Sequence, residues 1–118
     1  MKLASEALHE GITPSLMVER LEQDSPVTVA GFVAVRQAPE TAKGFVFHTL
    51  EDEWGLVNII TKPYLVEKYK ELISEAGALI VHGHIERQER AVNVVTEYME
   101  PLPLNGARVP SERTHSFG

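Results

Sequence analysis

His82 and His84 sit two apart in an alternating segment and so face the same way, a spacing that a metal ion can use. Structural zinc asks for four protein ligands, however, and the sequence offers no cysteine and no obvious third ligand beside this pair, so no metal site is expected. Glu51, Asp52 and Glu53 form an acidic run, but Trp54 and Gly55 follow at once. A turn explains them better than hydrolytic chemistry does, because no paired base or nucleophile accompanies them. With catalysis and metal set aside, the aromatic and basic side chains remain: Phe45, Phe47 and Trp54, and Arg36, Lys43, Lys62, Arg87 and Arg90. Their chemistry is non-covalent, stacking on flat π-faces and attraction of phosphates.

The totals bound what these residues can achieve. The chain has 118 residues, of which 43% are hydrophobic, enough for one domain with a core and too few for two ordinary ones. Eleven Lys and Arg against seventeen Asp and Glu leave a formal net charge of −6. Any phosphate contact must therefore come from a local cluster of cations, and modest affinity is expected. The absence of cysteine rules out disulfides and thiol catalysis and fits a reducing compartment. Met1 to Glu10 carry Glu6 and Glu10 and no long apolar run, so neither a signal peptide nor a membrane span is read there, and a cytoplasmic location without membrane partners is expected.

The elements that must position the rings and cations follow from periodicity. Residues 1–26 read as an N-terminal helical extension, with Thr13 as N-cap, Pro14 at the first helical position, Met17 and Leu21 on one face, and Ser25-Pro26 as the stop. Val27 to Gln37 alternates Val27, Val29, Val33 and Val35 against Thr28, Ala30 and Arg36, which predicts a strand, with Gly31 marking a bend. Phe45 to Leu50 and Leu56 to Thr61 predict a hairpin closed through Glu51–Gly55. From Pro63 to Glu75, Leu65, Tyr69, Leu72 and Ile73 recur at helical spacing, with Gly77 just beyond the end. Ala78 to Glu86 and Ala91 to Tyr98 are two further strands, joined through Arg87–Arg90. Residues 100–118, with Pro101, Pro103 and Pro110, read as an extended C-terminal tail.

Five strands with one helix between the third and fourth (β-β-β-α-β-β) is the layout of the OB-fold, a partly open Greek-key barrel, assigned to residues 27–99. OB domains bind single strands on the surface of strands two and three, stacking bases on aromatic rings. Phe45 and Phe47 share one face of strand two. They either face such a ligand or fill the barrel, and Val46 and Leu50 already claim the inner side. Trp54, at the turn tip, either stacks a base or caps the barrel end. Arg36 and Lys43 flank the loop between strands one and two, and Arg87 and Arg90 the loop between four and five. These two loops border the cleft of the fold.

The segments VTVAGFVAVRQ with TAKG (27–44), FVFHTLEDEWGLVNII (45–60) and ALIVHGHIERQERAVNVV (78–95) resemble the nucleic-acid-binding OB domain of bacterial DNA polymerase III alpha subunits, most closely the error-prone branch. The L-E-D-x-x-G phrase (50–55) is also common in OB domains of class II aminoacyl-tRNA synthetases. In those, the aromatic at the Phe47 position stacks on a base, and Asn58 falls where a polar side chain reads one. The resemblance implies a cofactor-free binding module for single-stranded DNA or RNA, partnered with the remainder of a polymerase or with replication accessory proteins. It also implies that this chain is not an enzyme by itself, because the family's acidic active-site residues lie in a separate domain. A protein-interaction adaptor is the competing expectation, favoured by the acidic balance and by a tail ending near Phe117, and an anticodon-type RNA binder is a third.

Overall fold

A computed structural model describes residues 11–103. Met1 to Glu10 of the N-terminal extension and most of the C-terminal tail, Phe117 included, lie outside the described residues. The elements are α1 (Ser15–Val18), β1 (Pro26–Gln37), a 3-10 turn (Glu40–Ala42), β2 (Val46–Glu51), β3 (Leu56–Thr61), α2 (Pro63–Lys68), α3 (Lys70–Glu75), β4 (Ala78–Gln88) and β5 (Ala91–Pro101). The strands close into a barrel in the order β1-β2-β3-β5-β4. Only β3 and β5 pair in parallel. This is the five-stranded OB barrel that the element order predicts, with one helical segment placed between β3 and β4.

β-Branched and leucine side chains at alternate positions fill the interior: Val29, Leu50, Ile59, Leu79, Val81, Ile85 and Val94 are all essentially sealed from solvent. Period-two burial along β2 (buried Val46, His48 and Leu50) and β3 (buried Val57, Ile59 and Thr61) leaves the opposite face of the hairpin to solvent. The long β1 pairs with β4 through its first half and with β2 through its second. It makes the crossing at Gly31, where a Cβ would sit 2.5 Å from the Glu51 carbonyl oxygen. Only glycine allows that approach, so the predicted bend has a steric cause.

Four local expectations are revised. β1 carries a bulge between Val33 and Val35, leaving Ala34 unpaired. Every side chain after it changes face. Val35 therefore joins Thr49 on the outside, 46% exposed, instead of continuing the Val27–Val33 row. The N-terminal helix is a single turn, because the Thr13 amide donates to the Thr28 carbonyl and Pro14 takes the N-cap position. Its buried residues are Ser15 and Val18, not Met17. The predicted single helix over 63–75 is two short ones hinged at Tyr69 (φ −104°, ψ 24°), with Leu65 and Ile73 both buried. No proline or glycine accounts for the hinge. Finally, β5 continues to Pro101 and Leu102 is buried against Ala30 and Ala78, so the last strand outruns its predicted end.

Candidate nucleic-acid interface

The outer face of β2 and β3 holds the candidate platform. Phe45 and Phe47 project from it, half-buried, with ring centroids 6.4 Å apart and planes within 13° of parallel. Inward-facing Val46, His48 and Leu50 alternate with them, which settles the side of the sheet on which the two rings lie. Strand register arranges the rest of the face in rows. Gln37, Phe47, Ile60 and Val95 are successive partners across four strands. Val35, Thr49, Asn58 and Asn93 form the neighbouring row, with Asn58 exposed. Thr49 and Asn93 were not singled out in the sequence. Only the long-range β3–β5 pairing reveals that Asn93 sits beside Asn58.

The five candidate cations take different positions. Lys43 is exposed on the β1–β2 loop, and Lys62 is exposed at the end of β3, one register step beyond the Val46–Thr61 pair and thus opposite Phe45. Arg36 pairs with His48, so the bulge has turned it away from the aromatic face. Its Nη1 donates to the Ile73 carbonyl at 2.7 Å and ties down the end of α3. Arg87 is similarly engaged, its Nη1 donating to the carbonyls of Glu19 (2.9 Å) and Leu21 (2.7 Å), which clips the α1–β1 connection to β4. Arg90 is exposed on the β4–β5 turn. Because β5 runs parallel to β3, that turn lies toward the Leu56 end of the hairpin, whereas Lys43 and Lys62 lie at the Phe45 end. The two loops bracket the face from opposite ends and do not converge on one spot.

Trp54 stands 39% exposed at the β2–β3 turn, and Asp52 organises that turn. The Asp52 carboxylate accepts from the amides of Ser15, Trp54 and Gly55 and from the Ser15 hydroxyl, at 2.7–3.0 Å. The acidic run is thus structural at Asp52, where it anchors α1 to the barrel. His82 bonds Thr28 Oγ1 (3.0 Å) and Glu100 Oε2 (2.8 Å), and His84 bonds Glu97 Oε2 (2.6 Å). Among the described residues no group of three or more His, Asp or Glu is placed to hold a metal ion.

His48 is the residue that sequence reasoning missed. It is buried to 2% exposure on the inner face of β2, and neither ring nitrogen has a partner among the described residues. Burial first, and then the Arg36 charge, lower its pKa from 6.5 to about 4. It is therefore a neutral imidazole at physiological pH. No helix among the described residues is long and apolar enough to cross a membrane.

A closed five-stranded barrel in the order β1-β2-β3-β5-β4, with a helical segment between β3 and β4, defines an OB-fold domain. The chain is related to one segment of the error-prone DNA polymerases: it is 44% identical over 92 residues to the error-prone DNA polymerase of Anaeromyxobacter sp. (strain K). That match takes in 75% of this chain and 8% of the relative, so the chain spans a small part of the polymerases it matches. No protein-family model matches it. Among solved structures, asparaginyl-tRNA synthetase from Pyrococcus horikoshii complexed with asparaginyl-adenylate superposes with a TM-score of 0.67 at 22% identity, over 77% of this chain and 22% of that one. The OBody AM1L10 bound to hen egg-white lysozyme gives 0.62 at 18% identity, over 79% and 92%. These two likenesses establish the barrel fold.

Proposed function

We propose that this domain binds single-stranded DNA on the outer face of β2 and β3, as a non-catalytic module of an error-prone DNA polymerase in the bacterial cytoplasm. The observation that carries the reading is the solvent-facing Phe45–Phe47 stack beside Asn58, on a chain related to those polymerases. Rings on an outward strand face offer bases a stacking surface without demanding a sequence, which is what a polymerase copying damaged template in translesion synthesis requires of a strand-holding domain. Gln37, Thr49, Asn58 and Asn93 surround the rings with neutral hydrogen-bonding groups suited to base edges. Lys43 and Lys62 at one end, and Arg90 at the other, supply the charge for the backbone.

Fluorescence anisotropy with labelled oligo-dT, a matched duplex and an RNA of the same length tests this. Weak, salt-sensitive binding to the DNA single strand, with weaker binding to duplex, is the expected result. Equal or tighter duplex binding, or no single-strand binding at low salt, refutes it, and an RNA preference favours the anticodon-type alternative. A protein-docking role is the second reading, supported by the net charge of −6 and by the OBody bound to lysozyme, an OB barrel that engages a protein. Nucleic-acid-free pull-down of replication proteins by the intact domain would favour it.

A further inference from the structure

Tyr64 is the most solvent-exposed of the large hydrophobic side chains among the described residues, at 71%, yet its backbone is firmly held. The Lys62 carbonyl accepts from the amides of Leu65 (2.9 Å) and Val66 (3.0 Å), Pro63 occupies the first turn of α2, and Leu65 is buried beneath it. From the other side the β1–β2 loop presses against this turn. A Cβ on Gly44 would lie 3.2 Å from Pro63 Cβ and 3.3 Å from its Cγ, so the two segments are packed backbone to ring. The contact brings Lys43, next to Gly44, and Lys62, next to Pro63, to the same corner of the barrel. Phe45, the residue before β2, lies at that end of the strand, and Tyr64 follows Pro63 in α2. Neither lysine has an ion-pair or hydrogen-bonding side-chain partner among the described residues, and Glu40 is the acid on the same loop.

We infer that Tyr64 is a third base-stacking platform, reached by a nucleic-acid strand that leaves Phe47 and Phe45 and passes between Lys43 and Lys62. The inference rests on the single-strand reading of the β2–β3 face and extends its footprint beyond the sheet. An aromatic ring on a rigid backbone suffers little ordering cost when a base stacks on it, and two uncommitted ammonium groups at the crossing suit the intervening phosphates.

The test is a length series of oligo-dT, about 4 to 16 nucleotides, titrated by anisotropy against the full chain and its Tyr64→Ala, Tyr64→Phe and Phe47→Ala variants. Tyr64→Ala should bind the longer oligomers about tenfold more weakly, the usual order for one base–aromatic contact, and match wild type on the shortest that bind. Tyr64→Phe should retain wild-type affinity throughout, because the ring and not the hydroxyl does the stacking. If Phe47→Ala weakens binding at every length while Tyr64→Ala equals wild type at every length, the single-strand reading stands and the Tyr64 platform is refuted. A Tyr64→Ala loss of equal size at all lengths also overturns it, since an extension must show a length threshold. No binding of any oligomer by wild type at low salt removes both.

Discussion

Acidification should unload stability from the barrel through His48. In the folded chain its pKa is lowered to about 4 from the ordinary 6.5, because the ring is buried and Arg36 stands nearby. Above pH 6.5 the ring is neutral in folded and unfolded chains alike, and its contribution to stability is fully present. As pH falls from 6.5 toward 4 the unfolded chain takes the proton first, so the unfolded state gains and the folded state is destabilised. Integrating over those two pKa values gives a loss of about 2 kcal/mol between pH 7 and 5, and about 3 kcal/mol by pH 4. For a domain of this size, ordinarily stable by about 5–15 kcal/mol, the loss at pH 5 should lower Tm by about 10 °C.

Other groups titrate over the same range, so the measurement is a comparison. His48→Leu keeps an apolar side chain of similar volume at the same inner position and removes both unpartnered nitrogens. Urea and thermal melts of the two proteins at pH 7, 6 and 5 should show His48→Leu at least as stable at pH 7 and losing about 2 kcal/mol less on the way to pH 5. If the two proteins lose stability in parallel, His48 does not titrate as its burial requires, and the reasoning fails.

Phe47→Ala should weaken single-strand affinity by about 1–3 kcal/mol with little change in Tm; a loss of about 3–5 kcal/mol in stability would instead place the ring in the core. Gly31→Ala drives a Cβ to 2.5 Å from the Glu51 carbonyl oxygen and should cost about 2–3 kcal/mol or more in a urea melt. Three exposed cations, Lys43, Lys62 and Arg90, border the face, so the logarithmic salt slope for single-strand binding should be about −2, and Arg90→Ala should flatten it. Arg87→Ala should leave that slope nearly unchanged and lower stability by about 1 kcal/mol, because its guanidinium is bound to the Glu19 and Leu21 carbonyls.

The barrel was legible in the sequence because its signals are local. Alternating β-branched residues marked the first strand, apolar runs between turn signals marked the other four, and the glycine at 31 announced the bend that the Glu51 carbonyl explains. Val46 and Leu50 claimed the inner side of β2, which leaned Phe47 outward but left both rings open to the core, and the observed burial of Val46, His48 and Leu50 puts Phe47 on the opposite face. Legibility ended where a side chain's role depends on a partner distant in the chain. Arg87 looked like a cleft cation, and its engagement with carbonyls 66 and 68 residues away has no sequence signature. His48 shares the inward row with Val46 and Leu50, which alternation would have revealed, but its lowered pKa depends first on how completely the barrel buries it and then on Arg36 across the β1–β2 pair.

The bulge at Ala34 connects these departures. An unbroken β1 would have set Arg36 outward near Phe47 and kept Val35 inside; one unpaired residue reverses both. Arg36 then binds the Ile73 carbonyl, and its charge adds to burial, the larger cause, in keeping His48 neutral. Gln37 takes the place beside Phe47, and the residues around that ring on β2, β3 and β5 are uncharged: Thr49, Asn58, Ile60 and Asn93. The centre of the face thus offers stacking and neutral hydrogen bonds, and its cations stand at the two ends. On the single-strand reading proposed above, such a surface would favour the bases of an opened strand over a duplex, whose bases are turned inward and whose phosphates would meet few charges. The acidic total of the chain works in the same direction, since it penalises any contact made through the backbone alone.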